Sequence, residues 1–237
     1  MHDSRETLAI GWCDDGTTDG KFTEGLVYTI LASPAAGLPV ARAIRVQGHQ
    51  IARQRQALLD LWADDVRTDW LLWVDSDVVL TLDVLQKLWQ AADATERPVV
   101  SGTYFISKEN EGSAMMPMPA LFDETDGRYA YRHPLPENAL IRIDAAGFGL
   151  LLMHRSIVAP MRQRHPGQSL FGEIEAAGDA YASEDIQFFR RLKATGIPLH
   201  AHTGAVAKHM KRYALDAAYY RLYWNAAAAQ QAPGRGS

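Results

Sequence analysis

The sequence predicts an α/β fold in which helices cover a parallel sheet. Three observations carry that prediction. Segments with strand-like and helix-like apolar patterns alternate from Leu8 onward, and the order strand–helix–strand–helix–strand brings parallel strands together. The run Trp70–Val74, W-L-L-W-V, is apolar at every position, as a central strand covered on both faces requires. The chain has 237 residues, 47% of them hydrophobic, which is enough for one substantial core.

The elements follow in order. Leu8–Trp12 reads as a first strand, ended by the turn-rich C-D-D-G-T-T-D-G. Phe22–Leu31 has helical apolar spacing and stops before Ser33-Pro34. Ala41–Val46 is a second strand, and Gln50–Val66 a helix with Ile51, Leu58, Leu59, Leu61 and Trp62 in period. After the third strand, Leu82–Ala92 is helical and Pro98–Ile106 a strand. Residues 107–119 have no regular period and read as a loop long enough to close over a site as a lid. Tyr129–His133 and Ala139–Asp144 are short strands, and the glycines of A-A-G-F-G lead into a buried segment. Ser183 is an N-cap, Glu184 and Asp185 suit the positive end of the helix that follows, and Gly196 is a stop. Leu199–Ala207 is a last strand. Leu215–Ala229 is helical with an apolar face that packs on the domain or on a second subunit, making a homodimer an open expectation. The tail after it frays.

The net charge of −4 argues against a surface built mainly for nucleic acid or anionic lipid. The lone Cys13 cannot form an internal disulfide, so a reducing compartment is the default. The N-terminus lacks the pattern of a signal peptide, and the longest apolar stretch, Ala145–Met153, is too short to span a bilayer. These features predict a soluble, cytoplasmic protein.

The third strand runs directly into Asp75-Ser76-Asp77. Two carboxylates that close repel, and burying either is costly, so a positive group is expected between them. In a turn past the strand end both can approach one cation, and hard oxygen ligands suit Mg²⁺ or Mn²⁺. Ligands of parallel sheets bind beyond the carboxyl ends of the strands, where this pair lies.

W-V-D-S-D after an apolar strand resembles the D-x-D motif of GT-A glycosyltransferases, and other segments agree in order. G-H-Q-I-A-R-Q-R-Q-A-L-L is similar to the helix before that motif, with Arg55-Gln56 where an Arg-Asn pair is usual. V-V-S-G-T-Y-F is similar to the strand after it. D-A-A-G-F-G-L-L-L-M-H-R and S-E-D-I-Q-F-F-R-R-L resemble segments of short family-2-like members, phage-encoded ones among them. Val206–His209 matches a late V-x-x-H. The resemblance covers Leu8 to Arg212. It implies a mixed, mostly parallel sheet with helices on both faces, a catalytic domain over residues 1–212, and a C-terminal helix and tail over 213–237.

It also implies roles. Asp77 would ligate a Mn²⁺ or Mg²⁺ ion directly, Asp75 would reach it through water or contact the ribose, and His209 would be the third ligand. Asp185 would be the general base beside the acceptor hydroxyl, oriented by Glu184. Gly147 and Gly149 would let the backbone approach the sugar, and Arg55, Lys211 and Arg212 would hold the diphosphate. Trp12, Asp14 and Asp15 would meet the nucleoside, and Ser76 would lie in the donor site. The donor would be a UDP- or GDP-linked sugar. The acceptor would be a soluble protein, a small glycan or a modified DNA base.

Competing readings remain at this level. D-S-D-V-V-L also resembles the nucleophile motif of haloacid-dehalogenase-like phosphatases, with Asp75 phosphorylated, although that motif belongs on a first strand. A nucleotide-sugar binding protein without turnover would carry the same residues. His200, His202 and His209 could form a zinc site. Cys13 reads as a small buried residue rather than a nucleophile.

Overall fold

The computed structural model describes residues 6–110, 113–172 and 183–212, together with positions 217, 220, 221 and 224. Its main sheet has seven strands: β1 (Leu8–Asp14), β2 (Val40–Gln47), β3 (Trp70–Val74), β4 (Val99–Thr103), β5 (Leu140–Ile143), β6 (Leu150–His154) and β7 (Leu199–Val206). They lie in the order β5-β7-β4-β6-β3-β1-β2. The pairs β1–β2, β1–β3 and β4–β7 are parallel, β6 is antiparallel to both its neighbours, and β5 is antiparallel to β7. Five strands therefore run one way and two against them, the mixed, mostly parallel sheet the motifs implied.

Helices α1 (Gly20–Ala32), α2 (Ile51–Asp60), α3 (Leu82–Ala91), α4 (Val158–Arg164) and α5 (Glu184–Lys193) cover both faces. Strand β3 shows why its sequence is uniformly apolar. Leu71 and Trp73 pack with Leu58, Leu59, Phe188 and Phe189 of α2 and α5. Trp70, Leu72 and Val74 pack with Phe22, Leu26, Val84 and Leu88 of α1 and α3. Alternate side chains point to opposite faces, and both faces are dry. Three helices start on side-chain caps: Asp19 accepts from the Lys21 N–H, Thr81 from Val84 and Ser183 from Ile186. The predicted helix 50–66 is α-helical only to Asp60. It continues as a π-helical turn to Val66 and stops at Arg67, which is left-handed at φ +57°.

Three segments depart from the sequence reading. Residues 107–119 are not a loop: Phe105–Asn110 and Ser113–Pro119 pair antiparallel as a hairpin. Pro117 and Pro119 hid it, because proline argues against a central strand yet is tolerated where both strands are edges. Leu121–Thr125 forms a second hairpin with Arg128–Tyr131 across Asp126-Gly127, both at positive φ, the Asp-Gly signal of a tight turn. Helix α4 is too short for its periodicity to stand out. The predicted helix 215–229 and its tail lie outside the described residues apart from four positions. Among the described residues no helix is long and apolar enough to cross a membrane.

Candidate functional site

The carboxyl ends of β1 and β3 meet the start of α5 and the end of the β7 segment. Val78 N–H donates to Asp75 O at 2.9 Å, folding Asp75-Ser76-Asp77 into a turn past β3. The chain then pairs Val78–Val79 with Lys208–His209, which brings the late histidine to the turn. Two charged clusters result, one around each aspartate.

The first is built on Arg55 of α2. Its side chain is only 5% exposed. Its Nη2 donates to Asp75 Oδ1 at 3.2 Å and its Nη1 to Glu184 Oε1 at 2.9 Å, and it also binds Asp185 Oδ1. The guanidinium lies 5.1 Å from the centre of the Phe148 ring. Phe148 N–H in turn donates to Asp185 Oδ2 at 3.4 Å. Burial works against the Arg55 charge, but Asp75 and Glu184 outweigh it and raise its pKa further. Arg55 was expected on the diphosphate. In the structure it is the shared counter-ion of three acids, Asp75, Glu184 and Asp185.

The second cluster is built on Asp77. Its Oδ2 accepts from Lys211 Nζ at 2.7 Å and faces His209 Nε2 at 3.2 Å. Burial would raise the Asp77 pKa; the hydrogen bonds from His209 and Lys211 outweigh it and bring it to about 2. Each aspartate thus has its own protein cation, Arg55 at Asp75 and Lys211 at Asp77.

Asp77 belongs to a cleft of about 690 Å³, lined also by Asp15, Thr17, Thr18, Asp19, Ser76, Lys211 and Arg212. Asp19 N–H donates to Ser76 O at 2.9 Å, fixing the cleft floor. Asp15 accepts from the backbone and hydroxyl of Thr17, which lower its pKa. Asp14 is not available to a nucleoside. Its side chain has no exposed surface, and it accepts a fork from Arg45 at 2.6 and 2.7 Å, the Gly16 N–H and the Trp12 indole N–H. Trp12 is thereby turned toward Asp14 and packs edge-to-face on Phe22.

Gly147 and Gly149 also have a different reason from the one expected. A Cβ on Gly147 would stand 1.9 Å from the Tyr104 hydroxyl, and one on Gly149 would stand 2.7 Å from its ring and 3.1 Å from Asp75 Oδ2. The glycines make room for a buried phenol. Tyr104 accepts the Gly149 N–H at 3.2 Å and stacks its ring edge against His209 at 5.2 Å. It touches both halves of the site, and sequence reasoning missed it; no local pattern marks a tyrosine whose partners lie 43 and more residues away.

A divalent metal was implied, and the donor set can be tested on the geometry. His209 Nδ1 lies 2.8 Å from Phe105 O, which can only accept, so Nδ1 carries the proton. Nε2 faces the Asp77 carboxylate: it donates to that oxygen when it too carries a proton, and without that proton its lone pair is free to share a cation with the oxygen, the carbonyl orienting the ring. Asp77 and His209 fit a divalent ion. Asp75 is turned to Arg55, and no group of three His, Cys, Asp or Glu side chains able to hold a metal occurs among the described residues. His200 and His202 lie elsewhere on β7, so the three-histidine idea fails. Burial lowers the pKa of both. Cys13 is buried, and burial pushes its thiol up to about 12, which leaves it unreactive. Asp75 ends the third strand and is paired with Arg55, against the phosphatase reading.

Residues 38–152 match the family described as Glycosyl transferase family 2. The fold is similar to that of A197 from STIV, with 15% identity and a TM-score of 0.54 over 87% of this chain and 86% of that one. It is also similar to GalNAc-T7 crystallised with UDP, GalNAc and Mn²⁺, with 12% identity and a TM-score of 0.49 over 87% of this chain and 43% of that one. Among curated proteins no sequence matches.

Proposed function

We propose that the chain is a family-2-like glycosyltransferase of the GT-A fold, moving a sugar from a UDP- or GDP-linked donor to an acceptor hydroxyl with help from Mn²⁺ or Mg²⁺. The observation that supports this reading is the division of charge around one turn. On one side of Asp75-Ser76-Asp77 is a cleft lined by Asp77, Lys211 and Arg212. On the other are two acids held by a buried arginine.

Asp77 and His209 would hold the metal, which as a Lewis acid supplies charge stabilisation to a departing diphosphate. Lys211 and Arg212 add positive charge to that diphosphate in the same cleft. Asp15, Thr17 and Thr18 line the part of the cleft left for the nucleoside. Asp185 takes the proton of the acceptor hydroxyl. It sits at the start of α5, about one-fifth exposed, with one oxygen on Arg55 and the other toward Phe148 N–H. Glu184 shares the same guanidinium and fixes the dyad. A carboxylate so paired is charged and oriented before substrate arrives, which is what a positioned base requires. The acceptor is a protein, a small glycan or a modified DNA base.

A thermal-shift screen of nucleotides and nucleotide sugars tests this. UDP or GDP derivatives should raise Tm in the presence of Mn²⁺, by mass action on the folded state. Asp77→Ala should lose the metal-dependent part of that rise. A rise that is indifferent to Mn²⁺ and to Asp77 would remove the metal from the proposal.

A further inference from the structure

Lys211 and His209 converge on one carboxylate oxygen in this site. Lys211 Nζ lies 2.7 Å from Asp77 Oδ2, and that same oxygen faces His209 Nε2, where a divalent ion would be shared. A metal and an ammonium on that oxygen would repel each other wherever water is partly excluded, so the two compete for it. The backbone of the segment is held: Met210 N–H donates to Asp77 O at 2.8 Å, and Lys208–His209 are paired with Val78–Val79. The Lys211 side chain is not held in the same way. It is 36% exposed on a flexible four-carbon stem and lines the same cleft as Arg212, Thr17 and Thr18.

We propose that Lys211 is the counter-cation of the empty site, neutralising Asp77 until a metal and a diphosphate enter together, when the ammonium passes from the carboxylate to the diphosphate. The proposal rests on the transferase reading for the identity of the anion. It does not need that reading for the competition at Asp77. Its consequence is a coupling. Metal alone has to displace Lys211 into water and binds weakly. Metal arriving with a nucleoside diphosphate gives Lys211 a new partner, so each ligand strengthens the other by the same factor.

The test is Mn²⁺ binding, measured by electron paramagnetic resonance of the free ion, with Mn²⁺ alone and with UDP or GDP present. The proteins are the wild type, Lys211→Met, Lys211→Arg and Asp77→Asn. Lys211→Met should bind Mn²⁺ alone at least about tenfold more tightly than the wild type, and the gain on adding nucleotide should shrink. Lys211→Arg keeps the charge and should stay as weak as the wild type. Asp77→Asn should bind Mn²⁺ least. The proposal is overturned if Lys211→Met binds Mn²⁺ no more tightly than the wild type, or if Lys211→Arg gains as much as Lys211→Met. A failure of the transferase reading looks different: UDP and GDP, free or sugar-linked, would leave every protein's Tm and Mn²⁺ affinity unchanged, while the Mn²⁺-only comparison would still decide the role of Lys211.

Discussion

Asp185→Asn should lower turnover about 10³-fold while leaving nucleotide affinity within a few-fold of the wild type. The substitution keeps the shape of the side chain and an oxygen for the Phe148 N–H, but it removes the charge that takes the proton. It acts at the start of α5, on a residue that is not among those lining the cleft of Asp77 and Lys211. The loss therefore belongs in kcat rather than in donor binding. Release of nucleoside diphosphate from a nucleotide sugar measures the first, and calorimetric titration with UDP or GDP plus Mn²⁺ the second. Retained turnover would assign the base elsewhere, with Glu184 the next group to change.

Arg55→Met should be the most destabilising single change in the site. The wild-type guanidinium serves three carboxylates at once, and no other described cation is within hydrogen-bonding distance of Asp75 or Glu184. Removing one partner of a buried charge cluster costs about 3–5 kcal/mol. Partial exposure of the acids favours the lower end: Asp75 is 31% and Glu184 22% exposed. For a chain of this size that corresponds to a Tm lower by about 6–12 °C. Arg55→Lys should recover only part, because one ammonium cannot fork between Asp75 on one side and Glu184 and Asp185 on the other. A melting curve for Arg55→Met that overlays the wild type would show that the three acids do not depend on this cation.

The legible parts of the sequence were those whose cause is local. Trp70–Val74 had to be a central strand because no face of it could meet water. Ser183-Glu184-Asp185 announced a helix start through cap and charge. The juxtaposition of Asp75-Ser76-Asp77 with Asp185 and His209 was implied by the family resemblance of the segments that carry them. The partners of those residues were not readable. Arg55 looks like any basic residue on a helix, and only the packing of α2 against the sheet aims it at three acids. Asp14 looks free in C-D-D-G until β2 brings Arg45 beside it across a parallel pairing. The glycines at 147 and 149 were read as letting the backbone approach a sugar. What approaches is Tyr104, on another strand, and a periodicity argument contains no such pairing. The hairpin at 105–119 was hidden by prolines that would exclude a central strand.

The central claim is that a divalent cation held by Asp77 and His209 meets the diphosphate of a nucleotide in the cleft beside β3. A crystal grown with Mn²⁺ and UDP or GDP, with anomalous scattering recorded for manganese, tests it most directly. The account predicts a manganese peak between Asp77 and His209, with the diphosphate against Lys211 and Arg212. Nucleotide bound elsewhere, or Lys211 still seated on Asp77 with no manganese beside it, would contradict it.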